Sequence, residues 1–224
     1  MNGMIIDIDR CNGCGACVIA CAAENNVAPA PERATDRNAV THVRITTLRN
    51  GDRGAFFPMM CMQCGHETPC VTVCPQQAVE LDPKSGIVMQ MTQRCLGCRY
   101  CMTACPYHAR VFNWWDPTWP AGMEVSLNPA VSPRMRGVVE KCNFCHGRLH
   151  AAQDAGEKSY TPACAEACPT QAITFGDKLD QRDTFVWLEK LDTQPKVRYR
   201  TRQPWIRALA EHGGAAPHEE NRNG

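Results

Sequence analysis

Sixteen cysteines stand in this 224-residue chain, and their spacing points to a chemistry before any fold is considered. They fall into four groups of four with none left over: Cys11, Cys14, Cys17 and Cys21; Cys61, Cys64, Cys70 and Cys74; Cys95, Cys98, Cys101 and Cys105; Cys142, Cys145, Cys164 and Cys168. Groups one and three step as C-x2-C-x2-C-x3-C, the run found in bacterial ferredoxins. Three closely stepped thiolates curl around one iron–sulfur cube. The fourth, expected to start a helix, points away and ligates the other cluster of a pair. Pro75, Pro106 and Pro169 follow the fourth cysteine of groups two, three and four, where a restricted backbone cuts off the loop. Ala22 takes that place in group one and removes no ligand.

Other chemistries use cysteine too. Zinc modules pair Cys-x-x-Cys units across a spacer, and 16 thiolates would make four such sites. They do not usually step three cysteines at three-residue intervals before Cys-Pro. Disulfides would form strained, ambiguous pairs among sulfurs that converge. Cys142-Asn143-Phe144-Cys145-His146 matches a c-type haem attachment motif. Taking it that way orphans Cys164 and Cys168 and leaves His146 without the hydrogen-bonding or surface role otherwise expected of it.

The elements that must carry these ligands are legible as an internal repeat. Pro75-Gln-Gln-Ala78-Val79, Pro106-Tyr-His-Ala109-Arg110-Val111 and Pro169-Thr-Gln-Ala172-Ile173 share Pro, Ala three residues later, and an apolar residue at six. Each predicts a short helix turning into a strand. Asp82–Gly86 reads as a turn returning through Ile87-Val88-Met89, and Met4–Ile8 as the opening strand. Ala28-Pro29-Ala30-Pro31 predicts a stiff extended connection. The 18 residues between Cys145 and Cys164 predict an outward loop. Asp183–Leu191 predicts an amphipathic helix, Pro195–Tyr199 an extended segment, and Gly213–Gly224 a mobile end. Phe112–Pro120, rich in tryptophan, reads equally as a core patch or a docking face.

These motifs resemble the four-cluster ferredoxin-type subunit of membrane-associated molybdopterin oxidoreductases, such as dimethyl sulfoxide, polysulfide and tetrathionate reductases. The likeness spans about residues 4–180. It includes the longer x5 gap of group two, the split of group four, Gly97-Cys98-Arg99-Tyr100-Cys101 and Thr161-Pro162-Ala163-Cys164. Asn128-Pro129 through Glu140-Lys141-Cys142 further resembles members that work with a polytopic quinone-site subunit, including alternative complex III and the menaquinone reductase complex. The resemblance implies an α+β fold of two tandem ferredoxin-like lobes, one inserted in the other. Residues 1–56 and 113–180 would form the outer lobe, 57–112 the insert, and 181–224 a partner-docking or mobile tail. It implies four [4Fe–4S] clusters: A on Cys11, Cys14, Cys17 and Cys168; B on Cys21, Cys142, Cys145 and Cys164; C on Cys61, Cys64, Cys70 and Cys105; D on Cys74, Cys95, Cys98 and Cys101. A complete cysteine set still permits one of them to be [3Fe–4S]. The implied function is non-catalytic electron relay in a hetero-oligomer, with a polytopic quinone-site membrane subunit and a molybdopterin-type or multihaem cytochrome subunit as partners. Formate dehydrogenase and hydrogenase electron subunits are the alternative within the class, and a structural zinc scaffold the alternative outside it.

Charge and hydropathy set the remaining expectations. A formal net charge of +1 offers no electrostatic reason for a nucleic-acid partner. No apolar run approaches the ~20 residues of a membrane span, and no signal peptide is visible. Membrane association is therefore expected through partner subunits, on the periplasmic side by co-export or on the cytoplasmic side. Sixteen ionised thiolates and four oxidised cores bring the loaded chain to roughly −7. Such charge needs compensation. Arg10, Arg94 and Lys141 immediately precede motifs, and Arg99 lies inside one; each is a candidate to tune a cluster or a plain surface charge. His42, His66, His108, His150, His212 and His218 show no metal-site spacing.

Overall fold

The computed structural model describes residues 2–35, 37–132 and 134–211; the end expected to be mobile, with His212 and His218, lies outside them. The chain opens with β1 (Gly3–Asp7) and a 3₁₀ turn at Ile8–Arg10, and α1 (Ala16–Glu24) carries the end of the first motif. A long hairpin follows, β2 (Arg44–Asn50) and β3 (Arg53–Met59), then α2 (Pro69–Thr72), β4 (Val79–Leu81), β5 (Val88–Gln90), α3 (Tyr100–Thr103) and β6 (Val111–Phe112). After the segment 113–138 come β7 (Val139–Glu140), α4 (His146–Asp154), α5 (Ala163–Glu166) and β8 (Ile173–Gly176). The chain ends on β9 (Thr184–Phe185), β10 (Val197–Arg200) and α6 (Pro204–Glu211).

The repeat is real, but its helix lies on the other side of the fourth cysteine. α2, α3 and α5 end just before Cys74, Cys105 and Cys168, so in these motifs the ligand follows a helical turn instead of starting one. The Pro that comes next begins a tight turn through Gln77, His108 or Gln171, each at a left-handed φ of 47–51°. A strand starts two residues later at Val79 and Ile173, and three later at Val111. Of the four motif-closing cysteines, Cys21 alone sits within a helix.

Two further expectations are corrected. The gap before Cys164 is not all loop, because its first half is α4. Asp183–Leu191 is not a helix: it holds β9 and, after left-handed Leu188, a short 3₁₀ turn. Its aromatics are needed elsewhere. Phe185 and Trp187 are buried against Tyr199 and Phe57, whose rings stack 4.1 Å apart.

Nor are residues 181–211 a tail. The main sheet has the order β8-β1-β10-β9, with β1 antiparallel to β8 and parallel to β10. β10 is thus an interior strand, and Val197 and Tyr199 are fully buried. Tyr199 donates its hydroxyl to the carbonyl of Pro58 at 3.1 Å, tying this sheet to the hairpin. Arg44 of β2 donates to the carbonyls of Tyr107 and His108 at 2.8 Å each, tying the hairpin to the third motif. The segments 22–56 and 113–138 are clasped by Asn26, whose side-chain amide donates to the Asn128 carbonyl at 2.9 Å and whose Oδ1 accepts from the Asn128 amide at 2.7 Å. Beside that clasp, Val27–Glu32 and Trp114–Pro120 wall a groove of about 680 Å³.

Candidate iron–sulfur centres

The cysteines of four distant sequence groups gather into four sets. Cys11, Cys14 and Cys17 line a small cavity with Cys168, 151 residues beyond Cys17. Cys61, Cys64 and Cys70 line a second with Cys105. Cys95, Cys98 and Cys101 line a third with Cys74. Cys21, Cys142, Cys145 and Cys164 crowd together closely enough that each of the other three raises the Cys21 thiol, after the larger effect of burial. α1 packs on α5 to bring that last set together, and α2 on α3 to bring the two central ones.

The motif loops have the geometry such ligation needs. Gly13, Gly15 and Gly97 take left-handed φ values of 72–78°, turning the backbone between successive sulfurs. Backbone amides are aimed at sulfur: Ala78 donates to Cys74 and Ala172 to Cys168, both at 3.2 Å. Burial pushes the Cys168 thiol up, but the Thr170 hydroxyl and the amides of Ala172, Ile173 and Thr170 outweigh it, so it lies below its ordinary value. For deeper sulfurs such hydrogen bonds are outweighed. Burial, then repulsion by neighbouring sulfurs, pushes Cys17 up to about 11 and Cys64 up to about 12. Burial together with Cys61 and Cys145 holds Cys142 at about 12.

Four mutually repelling sulfurs around a hollow are a poor home for water and a good one for a polycation, since burying such charge is unfavourable unless it is compensated. Among the described residues no three His, Cys, Asp or Glu side chains close on the space of a single ion. A zinc tetrahedron, with its ~2.3 Å metal–sulfur bonds, requires such closure. The sets fit a larger group, and the cysteine donor chemistry fits an iron–sulfur cube.

Of the four cations singled out from sequence, Lys141 is buried, lines the Cys61/Cys105 cavity, and donates to the carbonyls of Val88 and Cys142. Arg99 lines the Cys95/Cys74 cavity but is exposed, its guanidinium lying over Trp114 at 4.8 Å and Phe112 at 5.3 Å. Arg10 and Arg94 are exposed and line none of these cavities. Arg94 pairs with Glu80 at 3.4 Å.

Arg110, which sequence reasoning passed over, is buried in the Cys61/Cys105 cavity wall. The repeat held its signal. Arg110 follows Ala109 where the other copies have Val79 and Ile173, both buried apolar residues. A charge at an apolar repeat position calls for a partner, and this one lies within charge reach of Cys70 and Cys101.

Sixteen sulfurs in ferredoxin loops, on a small mixed α/β frame, define a multi-cluster ferredoxin-type electron carrier. Two segments, residues 10–78 and 53–121, each match a 4Fe-4S dicluster domain. The menaquinone reductase iron–sulfur cluster-binding subunit of Nitratidesulfovibrio vulgaris is 44% identical over 94% of this chain and 92% of its own. The Hdr-like menaquinol oxidoreductase iron–sulfur subunit 1 of Archaeoglobus fulgidus is 39% identical over 79% and 71%. The arsenate respiratory reductase iron–sulfur subunit of a Shewanella species is 34% identical over 84% and 87%. The chain belongs to the family of iron–sulfur electron-transfer subunits of oxidoreductase complexes, and its 16 cysteines and two dicluster domains fit four [4Fe–4S] clusters. It is a relay subunit and not the catalytic one. No helix among the described residues is long and apolar enough to cross a membrane.

Proposed function

We propose that the chain carries electrons through four clusters in the order A, B, C, D, between a quinone-linked membrane subunit and a second redox subunit. The ligand sets are those named from the resemblance. The carrying observation is that each four-sulfur set meets the next. Cys17 of set A lies within charge reach of Cys21 and Cys164 of set B. Cys142 of B is raised by Cys61 of C, and Cys101 of D by Cys70 of C. The clusters supply one-electron chemistry, and closely spaced centres carry an electron further than a single jump.

The protein's own residues tie the row together. Gln63, fully buried, donates to the Cys142 carbonyl at 2.8 Å and accepts from the Val88 amide at 2.8 Å, bolting C to B. Gly65 donates to the carbonyls of Thr193 and Gln194, so the segment before β10 closes over C. The nested reading, with 57–112 inserted between 1–56 and 113–180, is supported by β1 pairing with β8 across the whole cysteine region. Its boundaries still cut two strand pairs: β3 begins before 57, and β6 pairs with β7.

The relatives named for menaquinone or menaquinol support a quinone-linked partner, and a molybdopterin-type or multihaem cytochrome subunit would complete the path. Attachment to the membrane would be through these partners, on the periplasmic side by co-export. The test is isolation of the native complex, with identification of co-purifying subunits and of iron reduced by a menaquinol analogue. About sixteen irons per chain, quinol-dependent cluster reduction and a polytopic partner are expected. A fully loaded complex that no quinol reduces would overturn the quinone assignment.

A further inference from the structure

Three cations from separate segments converge on one of the four sites. Arg110 and Lys141 line the cavity of Cys61, Cys64, Cys70 and Cys105, and half-buried Lys196 lies within charge reach of Cys61 and Cys64. Arg110 is 4% exposed, and its Nη1 donates to Gln90 Oε1 at 2.9 Å. Its Nε and Nη2 are buried with no hydrogen-bond partner among the described residues. A buried guanidinium with two idle donors is costly unless an acceptor completes it. Lys141 and Lys196 spend their ammonium groups on neutral carbonyls, those of Val88, Cys142 and Gly86. Among the described residues none of the three cations pairs with a carboxylate.

The other sites differ. Among the described residues no cation lines the Cys11/Cys168 cavity. Near the Cys21/Cys142 set, Arg134 is bound to Glu140, and Arg148 to Glu24 and Glu166. At the Cys95/Cys74 cavity the lining cation is Arg99, exposed to water and stacked on aromatic rings. Arg110 also lies within charge reach of Cys101 of D, and Lys141 of Cys142 of B, but among the described residues the cavity that these two buried, uncompensated cations line is that of C.

We infer that Arg110, with Lys141 and Lys196, makes the Cys61–Cys64–Cys70–Cys105 centre the most readily reduced of the four, Arg110 directing its two free N–H groups at sulfur of the bound cluster. The added electron is negative charge in a low-dielectric site, and hydrogen bonds and net charge around the sulfurs set the potential. The step is a one-electron reduction of [4Fe–4S]2+ to [4Fe–4S]+; no bond is made or broken and no proton is taken up. Electrons then pool inside the row and not at either end. The inference rests on the ligand set proposed for C.

The experiment is a dithionite titration of the purified complex, with the clusters followed by electron paramagnetic resonance. In R110Q the first signal to appear should lose at least tenfold in its reduction equilibrium, a fall of about 59 mV for one electron. K141M and K196M should lower the same signal, and R10Q and R94Q should move none. R110K keeps the charge but not the donor fork, so its fall should be smaller than that of R110Q. If R110Q loses iron, R110K, K141M and K196M carry the test. With 15N-arginine, pulsed resonance should find a nitrogen coupled to the first-reduced cluster that vanishes in R110K. Fully loaded variants in which the first signal keeps its midpoint would overturn the inference, as would a coupling that survives in R110K. Wild-type complex short of iron would instead overturn the four-cluster reading beneath it.

Discussion

His42 shows how a single side chain outside the cysteine motifs supports them. Its side chain is 7% exposed, with Nε2 3.4 Å from Glu140 Oε2, and Glu140 also binds Arg134. Burial is the main cause of its lowered pKa, opposed by the hydrogen bond that Glu140 accepts from the ring. The folded protein therefore prefers neutral His42, and the unfolded chain takes up its proton first. This contribution is present above the ordinary histidine value of about 6.5 and is lost as pH falls below it. Thermal unfolding from pH 7.5 down to 5.5 should show falling stability, and H42Q should flatten that slope. Gln63 is a second such residue. In Q63A the Cys142 carbonyl and the Val88 amide both lose a buried partner, a loss of about 2–4 kcal/mol. Denaturant unfolding of the iron-loaded chain measures it.

The same glycine signature carries different weight in different elements. Gly97, at φ +76°, faces the backbone of the 113–138 segment, and a Cβ there would collide with the Gly137 carbonyl. Gly13, at φ +72°, faces only the ring of half-exposed Phe56, 2.6 Å from where a Cβ would lie. Both alanine variants carry the left-handed penalty of about 1–2 kcal/mol. Only at Gly97 is the obstacle backbone held by the Asn113–Gly137 hydrogen bond at 2.7 Å. G97A should lose about a quarter of its iron, the share of one cluster in four, while G13A keeps its full complement. Iron analysis beside protein quantification distinguishes them.

Across the whole molecule, metal and fold are one system. Cys17, Cys21, Cys61, Cys64, Cys142 and Cys164 belong to the same buried core as Met4, Ile6, Phe57 and Tyr199. The sheets are small, and three of the four have only two strands. Two-stranded ribbons are marginal alone in water, so bound clusters must supply much of the cohesion. Chelation under oxidising conditions should therefore collapse the near-ultraviolet dichroism and most amide-exchange protection together, in one transition. Stripped protein that keeps native protection would contradict this.

The iron–sulfur chemistry was legible in the chain because ligands three residues apart share one loop, and local spacing constrains where their sulfurs can go. The repeat was legible for the same reason, although its helix proved to precede Cys74, Cys105 and Cys168. Pairings across 151 residues, such as Cys17 with Cys168, leave no local trace and entered only as what a resemblance implied. β10 carries an alternation of buried and half-buried residues that suits an edge as well as a centre. Its interior place comes from packing between β1 and β9. Arg110 shows the boundary most clearly: its break with the repeat was visible in one dimension, but the sulfurs it faces come from two separate cysteine groups. Local covalent spacing determines which atoms can ligate; long-range packing determines which of them meet and what charge surrounds them.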